Sequence, residues 1–111
     1  MQESNIVLID FPQPDGKSKV RPALILKRLP QFQDFLVCGI STQVHQIIKD
    51  FDVIIDERER FFANTGLHKT SIIRIFFLAV VSSDKISGSI GKIPSSLHKK
   101  LLERLAMFLT A

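Results

Sequence analysis

Short apolar segments separated by polar turns fill most of this 111-residue chain, and they constrain its fold more than any other feature. Apolar or alternating segments of this length are typical of β-strands. They predict six strands, at residues 5–10, 21–26, 35–41, 51–55, 71–81 and 89–93. Their spacing favours a compact β-barrel or sandwich over parallel βαβ units.

The pattern changes at the C-terminus, where leucines recur at helical intervals at positions 97, 101, 102, 105 and 109. This period predicts an amphipathic helix whose leucine face packs on the sheet. Ser95 or Ser96 is the predicted N-cap, and His98 is predicted to lie on the helix surface. With no visible repeat or linker, residues 1–111 are expected to form a single, mainly β domain with a C-terminal α-helix.

Composition excludes several classes of protein. Hydrophobic residues make up 45% of the chain and charged residues 23%, which is enough apolar surface to bury a core. The longest apolar run, residues 75–81, is far shorter than the roughly 18 residues of a membrane-spanning helix. The first residues lack the pattern of an export signal, so we expect no membrane association and a cytoplasmic location. A single cysteine, Cys38, excludes an internal disulfide and a cysteine-rich zinc site.

The net charge of +4 comes entirely from the C-terminal part of the chain. Residues 1–67 carry 8 basic and 9 acidic side chains, whereas residues 68–111 carry 7 basic and 2 acidic ones. A basic excess attracts phosphate backbones or an acidic protein partner. A solvated basic surface without a partner would have the same composition.

Residues 11–20 are rich in turn formers and predict a long loop before the second strand. Pro22, predicted at the start of that strand, restricts Arg21 to an extended conformation where the loop ends. A guanidinium held at this point could bind a phosphate. The alternative is a structural ion pair with Asp10 or Asp15.

Other polar side chains are candidates for chemistry. Ser41 and Thr42 end the third predicted strand, where hydroxyls either bind a ligand or only terminate the strand. The absence of a Gly-x-Ser-x-Gly motif argues against a hydrolase-type serine nucleophile. His45 and His68 could form an acid–base pair that cleaves RNA, although the histidines lack the spacing of metal ligands.

The nine aromatic residues are all phenylalanines. Phe76 and Phe77 lie in the most apolar segment and are predicted to be core residues. Phe61 and Phe62, which have charged neighbours, are better candidates for stacking on nucleobases, with core packing as the alternative.

Taken in order, these segments resemble the PemK/MazF family of toxin–antitoxin ribonucleases. The matching stretches are residues 6–12, 15–16, 21–26, 37–43, 67–74, 90–93 and the closing helix, which together extend over nearly the whole chain. The resemblance implies a small SH3-like β-barrel with a C-terminal α-helix, usually in a symmetric homodimer. It also implies cleavage of single-stranded RNA without a metal or other cofactor, and an antitoxin whose acidic, flexible tail covers the RNA site.

The resemblance places the family's arginine at Arg21 and its strand-end hydroxyl at Ser41. With the substrate 2′-hydroxyl as nucleophile, Arg21 would stabilise the phosphorane and Ser41 would hold a phosphate oxygen. Expected substrate-binding residues lie in the first loop, after the third strand and before the fifth: Asp15, Gly16, Lys17, Ser18, Lys19, Thr42, Gln43 and His68.

Two departures from the family leave alternatives open. Many members carry Ser-Glu or His-Glu in the first loop, where this chain has Lys17-Ser18-Lys19, and a polar or acidic residue near positions 76–79. No general base is assigned, and Asp15 and His68 are candidates. The chain could therefore be a degenerate member that binds antitoxin or nucleic acid without cleavage. It could also be a toxin with the same barrel that poisons DNA gyrase by protein contact.

Overall fold

Six strands form one antiparallel sheet in the computed structural model, which describes residues 1–12 and 15–111. The strands are β1 (Asn5–Pro12), β2 (Ser18–Arg28), β3 (Asp34–Ser41), β4 (Val53–Ile55), β5 (Ser71–Ser82) and β6 (Ile86–Lys92). A four-residue helix, α1 (Phe62–Thr65), precedes β5, and the long helix α2 (Ser95–Thr110) follows β6. The predicted mainly β fold with a C-terminal helix is confirmed.

The sheet must be curled, since a very short connection joins two strands that are far apart in the strand order. The strand order is β4-β5-β3-β2-β1-β6, so β5 and β6 are four strand spacings apart, or about 19 Å in a flat sheet. Only the 3₁₀ segment Ser83–Lys85 joins them, and four Cα steps extend at most ~14 Å. Curling brings the two strands together, while no strand pairing within the described residues closes the barrel between β4 and β6.

Both faces of the sheet are covered by buried side chains. Alternation along the strands directs Ile6, Leu24 and Cys38 to the face that packs with Leu101 and Leu105 of α2. The intervening residues form a second cluster on the opposite face: Val7, Ile9, Ala23, Ile25, Phe35, Val37 and Ile86. The strands β1, β2 and β3 therefore bury side chains on both faces, as their short continuous apolar runs predict.

The leucine face of α2 is shorter than predicted. Leu101 and Leu105 are buried, but Leu109 is 68% exposed. The prediction for His98 is wrong, since it lies one helical turn before Leu101 and its Nε2 is 2.8 Å from the Leu26 carbonyl oxygen. The N-cap is Pro94, with no side-chain bond, so the predicted serine cap is also wrong. No helix in the described part of the chain is long and apolar enough to cross a membrane.

Several predicted boundaries are wrong because strand pairing extends beyond the apolar runs. The predicted loop at 11–20 is largely a hairpin, in which β1 and β2 pair as far as Pro12 and Ser18. Pro22 lies inside β2 opposite Leu8, just outside the β2–β3 pairing, which begins at Ala23. The first residues of the predicted strand at 51–55 precede β4, and the predicted turn at 87–88 is part of β6.

Candidate nucleic-acid interface

Arg21 and Ser41 lie at the same end of two neighbouring strands. Ala23 of β2 is paired with Gly39 of β3, and Arg21 and Ser41 are each two residues beyond this pair in the same direction. Because side chains alternate along a strand, the two residues face the same side of the sheet as each other. Arg21 is exposed and Ser41 is half-buried. None of the ion pairs formed within residues 1–12 and 15–111 includes Arg21, so the alternative clamp to Asp10 or Asp15 is not observed.

The Ser41 hydroxyl already has one partner in the protein. Its Oγ accepts a hydrogen bond from the backbone N–H of Gln43 at 3.0 Å, which shapes the turn after β3. A hydroxyl that accepts one bond still has its own proton to donate. Ser41 can therefore donate to an anionic oxygen at the end of β3, next to the exposed residues Thr42 and Gln43.

A groove of about 300 Å³ adjoins Ser41 and Thr42. Its walls are mostly apolar and include Leu8, Pro22 and Ile40, and its ionisable side chains are His68 and Lys69. The predicted residue His68 is thus brought close to the strand end, whereas His45 does not line the groove and the predicted histidine pair is not formed there. A hollow of about 500 Å³ near Arg28, at the other end of β2, contains none of the predicted site residues.

Two glycines hold one wall of this groove in place. A Cβ on Gly91 of β6 would lie 2.3 Å from the Asn64 carbonyl oxygen of α1, and one on Gly66 would lie 2.1 Å from the Ile90 carbonyl oxygen. Gly66 also has a left-handed φ of 72°. The backbones of α1 and β6 therefore touch directly. This contact fixes the position of α1, and with it the position of His68, which follows α1 in the chain.

The first turn of the hairpin presents cations. Asp15 Oδ1 accepts the backbone N–H of Lys17 at 3.0 Å, and Gly16 between them has a left-handed φ of 81°. Lys17 and Lys19 are exposed. Asp15 thus orders the turn that carries the lysines, while the predicted side chain of Ser18 lies outside the described residues.

The C-terminal basic excess is dispersed over the molecule. Lys69 lines the groove and Arg74 projects from β5, but Arg104 donates to the carbonyl oxygen of Phe51 and supports the fold. Lys99 is 4.0 Å from Glu103 on the exposed side of α2. Only part of the charge asymmetry in the sequence therefore reaches the predicted site.

The exposed aromatic residue on β5 was missed by the sequence prediction. Phe76 packs against Phe51 and Phe108, as predicted for a core residue, but Phe77 is 61% exposed. The register between β3 and β5 shifts after Cys38, which pairs with Leu78, whereas its neighbour Gly39 pairs with Arg74. The three extra residues of β5 form a bulge that turns Phe77 outward.

The predicted stacking pair, by contrast, is not an exposed platform. Phe61 and Phe62 are half-buried and pack against the core on the α2 side of the sheet. Their charged neighbours in the sequence therefore mark a turn at the protein surface. Nor does any group of three His, Cys, Asp or Glu residues that could hold a metal ion occur in the described part of the chain.

A family model for PemK-like, MazF-like toxins of type II toxin–antitoxin systems matches residues 2–109. The chain belongs to this family. Among solved structures it is similar to an endoribonuclease in complex with its cognate antitoxin from mycobacterial species. That chain is 14% identical, with a TM-score of 0.73 over 99% of this chain and 95% of the other. It is also similar to the Mycobacterium tuberculosis toxin MazF-mt6, at 25% identity and a TM-score of 0.65 over 91% of each chain. No curated protein sequence matches.

Membership of the PemK/MazF family confirms the resemblance and gives the strand-end site its context. A guanidinium and a hydroxyl donor face the same side of the sheet, and the β1–β2 hairpin that carries Arg21 also presents the cationic loop residues. The groove with the His68 imidazole lies on the other face, because its wall residues Pro22 and Ile40 alternate with Arg21 and Ser41 along β2 and β3, and it meets Ser41 only at the strand end. Such groups can bind a phosphodiester and stabilise negative charge that develops on it.

Proposed function

We propose that this chain is the toxin of a toxin–antitoxin module and a metal-independent endoribonuclease that cleaves single-stranded RNA. The observation that carries the proposal is the placement of Arg21 and Ser41 at the same end of β2 and β3, facing the same side of the sheet. Family membership supports it, since the family is one of endoribonuclease toxins. The exposure of Arg21 leaves its guanidinium accessible to a large substrate.

The proposed reaction is transesterification within the RNA. The substrate 2′-hydroxyl attacks the neighbouring phosphorus, and the bond from phosphorus to the 5′-oxygen breaks, which leaves a 2′,3′-cyclic phosphate and a free 5′-hydroxyl. Arg21 stabilises the phosphorane oxygens and donates a hydrogen bond to the departing oxygen, while the Ser41 hydroxyl donates to a non-bridging oxygen. The 2′-hydroxyl proton passes to a general base, for which His68 and Asp15 are the candidates, and water supplies the proton that completes the 5′-hydroxyl.

The remaining predicted residues bind the backbone of the RNA in this proposal. Lys17 and Lys19 on the hairpin contact the flanking phosphates of the RNA, together with the backbone at Gly16. Thr42 and Gln43 contact the part of the RNA that extends past Ser41. The same cations suit the acidic tail of an antitoxin, which would block the site by occupying it. One of the structural neighbours is an endoribonuclease in complex with its cognate antitoxin, which supports such a partner.

We also propose that two copies of the chain form a homodimer. The end of α2 exposes three consecutive apolar side chains, Met107 at 73%, Phe108 at 52% and Leu109 at 68%. Apolar residues clustered at a surface commonly mark a protein interface. Light scattering after size exclusion should show a mass of two chains, and Leu109→Glu together with Met107→Glu should reduce it to one.

Incubation of the purified chain with a long single-stranded RNA in EDTA tests the proposed activity. We expect specific cuts by the wild type, with a loss of at least about 100-fold in rate for Arg21→Ala, as for removal of one charge-stabilising donor. Arg60→Ala is the matched control, because Arg60 is an exposed arginine on a different turn and its removal changes the net charge equally. Ser41→Ala should also slow cleavage.

The outcomes separate the alternatives. If neither the wild type nor Arg60→Ala cuts RNA but both still bind an antitoxin, the chain is a degenerate binder and the enzyme proposal is wrong. Toxicity that depends on DNA gyrase, without RNA cleavage, would instead support the gyrase-poisoning alternative. Equal cleavage by Arg21→Ala and the wild type would show that catalysis lies elsewhere.

A further inference from the structure

We infer that Phe77 and Arg74 form a stacking platform for one nucleobase of the bound RNA. The inference rests on the proposed function, because it gives the substrate a binding site beside Arg21 and Ser41. The platform is defined as the Phe77 ring together with the Arg74 guanidinium. Neither residue belongs to the predicted site.

The geometry of the platform is that of a braced aromatic ring. The Arg74 Cζ lies 4.7 Å from the centroid of the Phe77 ring, and Arg74 Nη1 donates to Gln46 Oε1 at 3.3 Å. The Arg74 side chain is thus held between an amide oxygen and the ring. A guanidinium over an aromatic face contributes a cation–π interaction and fixes the ring without burying it.

The location of the platform places it on the substrate side of the sheet. Arg74 is paired with Gly39, which is two residues before Ser41 on β3. Because side chains alternate along a strand, Arg74 lies on the same face of the sheet as Arg21 and Ser41. A Cβ on Gly39 would lie 3.3 Å from Phe77 Cδ1, so the missing side chain of Gly39 makes room for the ring above β3. The ring therefore lies above Gly39, on the same face of the sheet as the Ser41 hydroxyl that is proposed to hold the phosphate. Gly39 and Ser41 are two residues apart on β3.

The exposed ring of Phe77 is best explained as a binding surface for a partner. Phe77 is 61% exposed. Ile75 and Phe76 before it pack in the core, whereas Leu78 and Val80 after it are also exposed but lie opposite Cys38 and Leu36, on the other face of the sheet from Arg74. An exposed ring with a cation beside it, on a face with further cations, matches the way proteins bind single-stranded nucleic acids, through stacked bases and charged grooves. A base of the RNA is the occupant that uses both the ring and the charge.

The chain allows a direct optical test, because it contains no tryptophan and no tyrosine. In Phe77→Trp the single indole should be quenched by a short, mixed-sequence, single-stranded 2′-O-methyl RNA, which lacks the 2′-hydroxyl nucleophile and stays uncut. An abasic polymer with the same phosphate backbone should leave the emission unchanged. Phe32→Trp is the matched control, since Phe32 is 76% exposed between β2 and β3, away from Arg21, and should not be quenched.

Binding measurements complete the test. Stacking of one base predicts that Phe77→Ala and Phe77→Leu weaken binding of the 2′-O-methyl RNA about tenfold, while binding of the abasic polymer is unchanged. The platform is refuted if the RNA binds Phe77→Trp at wild-type strength without quenching, or if no RNA binds. It is also refuted if the indole emission of Phe77→Trp changes on dilution without RNA, since a second copy would then cover the ring. If quenching occurs and the wild type cuts no RNA, the platform stands and only the proposed cleavage fails.

Discussion

The contact between α1 and β6 leads to a sharp prediction about two glycines of the same strand. In Gly91→Ala the new methyl would lie 2.3 Å from the carbonyl oxygen of Asn64 and 2.4–2.5 Å from the carbonyl group of Thr65. These are backbone atoms and cannot rotate away, so α1 or β6 has to move. In Gly88→Ala, three residues earlier, the methyl would meet nothing within 4 Å.

The expected free energies of unfolding follow from this difference. Alanine at a compatible position restricts the unfolded chain and adds about 0.5 kcal/mol, which is the expected gain for Gly88→Ala. Overpacking costs about 1–3 kcal/mol, and the rigid backbone neighbours of Gly91 place the cost toward the upper end. An overpacking cost of about 2.5 kcal/mol, less the same gain of about 0.5 kcal/mol, makes Gly91→Ala about 2 kcal/mol less stable than the wild type and about 2.5 kcal/mol less stable than Gly88→Ala.

Urea unfolding of the wild type and both variants measures these free energies, provided that the free energy of unfolding has the same dependence on urea concentration in all three proteins. Because α1 leads directly into His68, Gly91→Ala should also disturb the groove and slow RNA cleavage relative to Gly88→Ala at a temperature where both are folded. The explanation fails if Gly91→Ala is as stable as the wild type within about 0.5 kcal/mol. It also fails if Gly88→Ala loses as much stability as Gly91→Ala, because β6 would then be intolerant of any side chain.

Three further predictions concern buried or paired groups. Asp52→Ala should lower the free energy of unfolding by about 3 kcal/mol in urea titrations, because the buried carboxylate accepts the backbone N–H groups of Ile48 and Ile75; a loss below about 1 kcal/mol would contradict this. Burial, with a further effect of the Asp52 carboxylate, raises the pKa of the Cys38 thiol. A maleimide should therefore label Cys38 only as fast as the chain opens, and fast labelling of the native protein would be inconsistent with its position. The pKa of Glu3 is lowered mainly by the backbone N–H of Arg28, which it accepts. Its contribution to stability is then complete above the ordinary glutamate pKa and decreases as the pH falls through the lowered value, so Glu3→Gln should weaken the acid dependence of the urea midpoint.

The strands that sequence patterns predict well are those with continuous apolar runs. Residues 35–41 and 71–81 correspond closely to β3 and β5, because both are apolar over most of their length, although only the first half of β5 is buried. The hairpin between β1 and β2 was underestimated, since its ends pair through backbone groups and need no apolar side chain. Pairing of this kind leaves little signal in composition, and Pro22 within β2 removes one of the expected signals for a strand interior.

The candidate site divides in the same way. The local sequence pattern singles out Arg21 and Ser41, and the family resemblance gives them their roles. That they face the same side of the sheet follows from the β2–β3 register, which residue spacing does not show. Phe77 was assigned to the core because its neighbours are apolar, and only the bulge in β5 turns it outward. His98 and Asp52 are buried where they form hydrogen bonds with backbone groups of Leu26 and Ile75. These backbone groups come from distant segments and lie next to His98 and Asp52 only in the folded chain, so the sequence does not reveal the bonds.

The pairing of β1 with β6 has a consequence for the order in which the protein is made. Asn5 lies opposite Lys92, and the backbone N–H of Ile93 donates to the Ser4 carbonyl oxygen, so the strand of the sheet that is translated first, β1, is held by the one that is translated last, β6. A nascent chain that ends before β6 lacks this partner and cannot complete the sheet on which Arg21 and Ser41 are placed. Ribosomes that translate the message therefore carry incomplete sheets, and the strand ends proposed to bind RNA are assembled only after β6 has emerged.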